Sequence, residues 1–199
     1  MTTDFYSAIE ARRSVYQISN EPVISDERLQ EVIHHAVKNA PSAFNSQSSR
    51  VVVLLGENHQ KLWNLTKETL RKITAAEKFP ATEAKMESFS NGYGTILIFE
   101  DESVIESLQE NFPSYKDHFP LFSYQSSGML QHIVWTALTH EGFGATLQHY
   151  NPLIDDEVKQ TWNLPSSWKL LAQLPFGKPG SLPQEKPFQP LDDRVMFVK

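Results

Sequence analysis

The sequence predicts an α+β sandwich built as one domain over residues 1–199. Three apolar runs have the composition of buried strands: VVVLL at 51–55, TILIFE at 95–100 and WKLLAQLPF at 168–176. Helical patterns of unequal length separate them, so helices and strands interleave irregularly, which favours a sandwich over a doubly wound βαβ fold. A chain of 199 residues is long enough to bury roughly 70% of the surface its unfolded form exposes, so no second domain is required.

The elements follow in order. Phe5, Ala8, Ile9 and Arg12 fall at helical spacing, so a short helix over 4–12 delivers Arg12, Arg13 and Ser14 at its C-terminal end. After Pro22, Ser25 is an N-cap candidate, and Leu29, Val32, Ile33, Ala36 and Val37 form a helical apolar stripe that Pro41 stops. VVVLL then reads as a strand buried on both faces, closed by Gly56-Glu57-Asn58. A helix carrying Leu62, Leu65, Leu70 and Ile73 follows, and then a polar, poorly periodic stretch to Gly94 that Pro80 interrupts. Beyond TILIFE, residues 103–110 predict one or two helical turns, and NFPSYKDHFPLF at 111–122 predicts an aromatic-rich loop because two prolines interrupt it. The longest helix is expected over 126–140, ended by Gly142-Phe143-Gly144. ATLQHYN reads as a strand and turn and residues 155–162 as a polar helix. WKLLAQLPF is the third strand, 177–190 a Gly/Pro-rich loop, and RVMFV at 194–198 a short terminal strand.

Composition removes several classes of function. No apolar run approaches the roughly 20 residues of a membrane span. The first residues, MTTDFYSAIEARRS, carry acids where a secretory signal has lysines, so a cytoplasmic protein is expected. With no cysteine there is no disulfide, thiol nucleophile or thiolate metal site. A net charge of −6 argues against nucleic-acid binding. Neither GxGxxG, a Walker A pattern nor GxSxG occurs. The histidines at 34, 35, 59, 118, 132, 140 and 149 show no HExxH spacing, so no metal centre is expected.

What remains is a set of polar and basic residues beside helix ends and turns. PSAFNSQ at 41–47 is uncharged and rich in groups that both give and accept hydrogen bonds, directly after an apolar helix. Arg12, Arg13 and Ser14, this loop, the stretch after Gly144 and Lys186 would suit a ligand with one phosphate and a polar heterocycle. Arginine offers forked donors to phosphate, and Asn45 and Gln47 suit alternating donors and acceptors on a ring edge. On pattern alone the simpler reading of the same residues is helix capping by Ser14 and Asn45, with Arg12 and Arg13 solvated.

The order of RRS, a helix, PSAFNSQ, an apolar strand, a long helix ending in EGFGATLQHYN, and a late EKPF resembles the FMN-dependent nitroreductase family, in particular its short fungal and bacterial branch. The resemblance covers essentially the whole chain. It implies a central, mainly antiparallel sheet flanked by helices, and a two-fold homodimer with FMN at the interface. By that resemblance Arg12, Arg13 and Ser14 lie against the phosphate and ribityl chain. Pro41, Ser42, Asn45 and Gln47 of the partner wrap the ring, a backbone N–H near Gln148 or His149 points at the flavin N5, and Lys186, or failing it Lys178, closes on the phosphate. It also implies a ping-pong reaction in which NADH or NADPH reduces the flavin and a nitroaromatic or quinone-type acceptor then takes the hydride. No side chain acts as nucleophile, and Phe44, Tyr115, Phe119, Phe122 and Tyr124 are candidates for the pocket wall. Two departures stand out: Tyr16 replaces a common basic residue, and Ser48 replaces a common proline. Two other functions stay open on the sequence, a non-catalytic FMN-binding stress or regulatory module and a dimeric scaffold without cofactor.

Overall fold

The computed structural model describes residues 4–181 and 183–199. Helix α1 (Phe5–Ala11) starts where the Asp4 carboxylate accepts the N–H groups of Tyr6 and Ser7. Strand β1 (Ile18–Ser19) leads to α2 (Asp26–Asn39), capped by the Ser25 hydroxyl. A short 3₁₀ turn (Ala43–Asn45) precedes β2 (Ser49–Leu55), α3 (Gly56–Arg71), α4 (Phe79–Ser90) and β3 (Gly94–Asp101). Then come α5 (Glu102–Asn111), a 3₁₀ segment (Pro113–His118), α6 (Phe119–His140), β4 (Gly144–Ala145), α7 (Asp155–Thr161) and β5 (Trp168–Pro179).

The five strands form one sheet, in the order β1-β5-β3-β2 with β4 added to β5, and every strand pair is antiparallel. Strand period decides what each face buries. Ile96 and Ile98 of β3 pack with Leu29 and Ile33 of α2 and Leu130 and Val134 of α6. Leu97 and Phe99 pack on the other face with Trp63 of α3, Met86 and Phe89 of α4, and Val158 of α7. A bulge opposite Ile98 and Phe99 shifts the phase of β5, so that Leu170 joins the second core while Ala172, Leu174 and Phe176 join the first.

Four expectations need correction. Residues 79–90 are helical, and α6 begins at Phe119, seven residues before the expected start. Both errors have one cause: Pro80 and Pro120 sit in the first turn of their helices, where a missing N–H costs nothing. Strand β2 is only half-buried, because it is the sheet's terminal edge and faces an open groove. RVMFV forms no strand in the single chain; Met196, Phe197 and Val198 are 84–88% exposed.

Candidate functional site

The turn at 41–47 is the most strained piece of backbone among the described residues. Phe44, Asn45 and Gln47 have φ of 57°, 51° and 49°, three of the four non-glycine residues on the left-handed side. Such conformations cost of order 1 kcal/mol or more each and last only where surrounding contacts over-determine them. Here the Ser42 hydroxyl accepts the Gln47 N–H at 2.9 Å, and Ser126 of α6 accepts the Ala43 N–H at 3.3 Å. Arg50 donates to the Gln47 carbonyl at 2.7 Å and pairs with Asp101 at 3.0 Å. Burial pushes the Asp101 carboxyl up, but hydrogen bonds from Ser103 and Ser167 and the Arg50 charge outweigh it and hold it below its ordinary value. Ser48 is fully buried, its hydroxyl donating to Glu100 at 2.6 Å.

Beside this turn lies a groove of about 680 Å³ between α2, β2 and the first half of α6, lined by Ile33, Val37 and Leu130 and by Pro41, Ser42 and Gln47. Phe44 stands half-exposed against Phe112, Tyr115 and Phe119, with ring centroids 5.0–5.7 Å apart. Of the expected aromatic wall, Phe119 is buried, whereas Tyr124 turns away to accept from Lys169.

Arg12, Arg13 and Ser14 form a second group. The Arg12 guanidinium lies 4.4 Å from the centre of the Trp135 ring, and burial and then the Arg13 charge lower its proton affinity. Arg13 donates to the Gln184 carbonyl at 2.7 Å, drawing the late segment toward RRS. Neither guanidinium meets a carboxylate among the described residues. Ser14 bridges to Ala145, so RRS runs alongside the segment that follows Gly144. That approach needs glycine, since a Cβ on Gly144 would stand 2.8 Å from Val15 Cγ1.

Of the two backbone donors expected there, the Gln148 N–H is spent on the Gln173 carbonyl at 2.7 Å, and His149 is exposed. Lys178 pairs with Glu21, and Lys186 lies over the Phe188 ring two residues beyond the Arg13 contact. The turn meets α6 at Ser126 and the arginines meet it at Trp135, roughly 13 Å apart along the axis at 1.5 Å per residue. One chain thus brings the arginines to the 144–149 segment and keeps the amide turn apart. Sequence reasoning missed Trp135 as a platform for Arg12, and it missed Glu100 and Arg50 as supports of the turn. A carboxylate closing the otherwise apolar run TILIFE was the available signal.

An antiparallel sheet between helices defines an α+β sandwich; at its margins stand a strained amide turn and two arginines that meet no carboxylate among the described residues. The nitroreductase family model matches residues 9–178. The chain is 34% identical over 192 residues to nitroreductase FRM2 of Saccharomyces cerevisiae, covering 94% of both. Its structure superposes on nitroreductase CinD from Lactococcus lactis in complex with chloramphenicol with a TM-score of 0.91 at 42% identity, covering 98% of this chain and all of that one. The 4-nitrophenol complex of CinD gives 0.90 at 43% identity, again covering 98% of this chain and 100% of that chain. The chain belongs to the nitroreductase family of oxidoreductases, a family that is typically flavin-dependent.

Among the described residues no helix is long and apolar enough to cross a membrane, and no group of three or more His, Asp or Glu could hold a metal ion.

Proposed function

We propose that the protein is an FMN-dependent oxidoreductase that works as a homodimer and reduces nitroaromatic or quinone-type acceptors with NADH or NADPH. The observation that carries this reading is the pair of guanidinium groups that meet no carboxylate among the described residues, beside Gly144-Ala145, matched elsewhere along α6 by a strained amide turn. These residues fit the cofactor: adjacent arginines suit a phosphate, and a groove with an apolar wall and amide rim suits a planar ring.

FMN held by these residues would supply hydride-transfer chemistry between a nicotinamide and the acceptor. The chain's own groups hold and orient. Arg12 and Arg13 bind the phosphate, and the Trp135 ring keeps Arg12 in place before the ligand arrives. Ser14 adds a hydroxyl toward the phosphate and ribityl chain, and Lys186 approaches on the segment that Arg13 tethers. Pro41, Ser42, Asn45 and Gln47 present the ring-facing edge. With Gln148 engaged, His149 is the residue whose N–H is offered to the ring. Phe44 and Tyr115 offer exposed aromatic surface to a flat acceptor.

The separation of the two groups along α6 favours a seam in which one copy supplies the arginines and the other the turn. The unpaired edge of β2 and the exposed apolar tail also favour a homodimer, because a strand exchanged between copies would cover both. CinD is seen with chloramphenicol and with 4-nitrophenol, which supports a nitroaromatic acceptor. The test is the visible spectrum and solution mass of the pure protein, followed by NADH or NADPH oxidation with 4-nitrophenol as acceptor. A yellow dimer whose oxidation of nicotinamide is stimulated by the nitroaromatic is expected. A yellow protein without stimulated turnover would favour a flavin-holding module, and a colourless protein that takes up no FMN would end the proposal.

A further inference from the structure

We infer that Glu100 is a positioning residue, the hidden clamp that holds the 41–47 turn in its strained form and so sets flavin affinity without touching the flavin. This rests on the reading above that the turn holds FMN.

Glu100 lies at the end of β3 and is 2% exposed. No Lys, Arg or His pairs with it among the described residues. A carboxylate removed from water without a cation must replace its lost hydration with other donors. Three hydroxyls do so, two from consecutive residues at the exit of the turn and one from α6. Ser48, directly after Gln47, donates to Oε2 at 2.6 Å; Ser123 of α6 donates to the same oxygen at 2.8 Å; Ser49, the first residue of β2, donates to Oε1.

The consequence is mechanical. Ser123 and Ser126 are three apart on α6 and therefore share a face. Through Glu100 the first grips the exit of the turn, and through the Ala43 N–H the second grips its entry. Successive strand residues point to opposite faces, so the next residue, Asp101, adds a hold of its own. It pairs with Arg50, which donates to the Gln47 carbonyl, while the Asp101 N–H donates to the Ser48 carbonyl at 3.0 Å. The segment between these fixed ends contains the positive-φ residues Phe44, Asn45 and Gln47. Ser49 and Ser126 line the neighbouring groove whereas Glu100 does not, so Glu100 acts through the serines. Ser48 thus fixes the exit of the turn through its side-chain hydrogen bond.

The test compares Glu100→Gln, Ser123→Ala and Ser123→Thr with the unaltered protein. The first readout is hydrogen exchange of a peptide covering 41–50 in cofactor-free protein, and the second is FMN affinity by quenching of flavin fluorescence. Charge-assisted hydrogen bonds of this kind set the expected scale: Glu100→Gln and Ser123→Ala speed exchange at 41–50 and weaken FMN binding, each by about tenfold. Exchange across β5 is unchanged, and Ser123→Thr, which keeps the hydroxyl, behaves like the unaltered protein. Unchanged exchange at 41–50 in both variants would overturn the clamp. Faster exchange with unchanged FMN affinity would overturn its positioning role and leave the cofactor reading standing. Should the unaltered protein bind no FMN, the functional proposal falls and the positioning role falls with it, whatever the exchange data say of the clamp. If Glu100→Gln does not fold, Ser48→Ala and Ser123→Ala carry both readouts.

Discussion

Replacing His59 by Asn should remove a specific part of the protein's acid sensitivity. His59 lies in α3, 1% exposed, its Nδ1 2.9 Å from the Thr95 hydroxyl that also accepts the Trp63 indole N–H. Burial pushes its pKa from 6.5 down to about 4; the carbonyls of Ser90 and Phe89 offset this only in part, and none closes a well-formed hydrogen bond to Nε2. The sign follows from linkage. Above pH 6.5 the imidazole is neutral in both folded and unfolded chains; between 6.5 and 4 the unfolded chain takes up a proton that the folded chain resists, so stability is lost as pH falls. A tenfold difference in proton affinity is worth about 1.4 kcal/mol, so the full loss below pH 4 is about 3 kcal/mol, and about 2 kcal/mol of it is felt by pH 5. Urea unfolding at pH 7 and pH 5, at one fixed protein concentration, measures it. His59→Asn, which can still bond Thr95 but does not titrate, should lose about 2 kcal/mol less than the unaltered protein over that interval. Equal losses in the two proteins would refute the reasoning.

Arg12→Ala should cost about 2 kcal/mol or more of FMN binding, roughly 30-fold in Kd by fluorescence titration, because it removes both the proposed phosphate partner and the stack on Trp135. Asn45→Ala and Asn45→Gly both lose the amide, but only alanine is forced into the left-handed region at about 1 kcal/mol, so the glycine variant should retain FMN several-fold better. Gly177→Ala should lower stability by about 2–3 kcal/mol, read as a fall in Tm, since a Cβ there would stand 2.4 Å from the Ser19 carbonyl oxygen where β1 joins β5.

Much of the fold was legible because it follows from period and punctuation. The stripe from Leu29 to Ala36 and the Ser25 cap located α2, and TILIFE located the central strand whose alternate residues feed two cores. Proline was the misleading letter: Pro80 and Pro120 looked like breakers, and only the surrounding chain reveals whether a proline ends a helix or opens one. RVMFV carries the composition of a strand but finds no strand partner among the described residues of its own chain, and strand propensity without a neighbouring edge forms nothing. At the site, RRS and PSAFNSQ were visible as unusual chemistry. Their supports were not, because Glu100 is 51 residues from Ser49 and 23 from Ser123, a distance no local pattern spans.

If the flavin lies in a seam between copies, defects in the two groups must complement each other. An Arg12→Ala/Arg13→Ala chain and a Ser42→Ala/Asn45→Ala chain, each unable to retain FMN alone, are unfolded together, refolded as a mixture and titrated with FMN. In a two-fold dimer, about half of the particles formed at random are mixed, and each mixed particle joins the intact arginines of one chain to the intact turn of the other at one of its two seams. Tight binding should therefore return at about a quarter of all sites. A mixture that binds no more FMN than its two components separately would contradict a shared site.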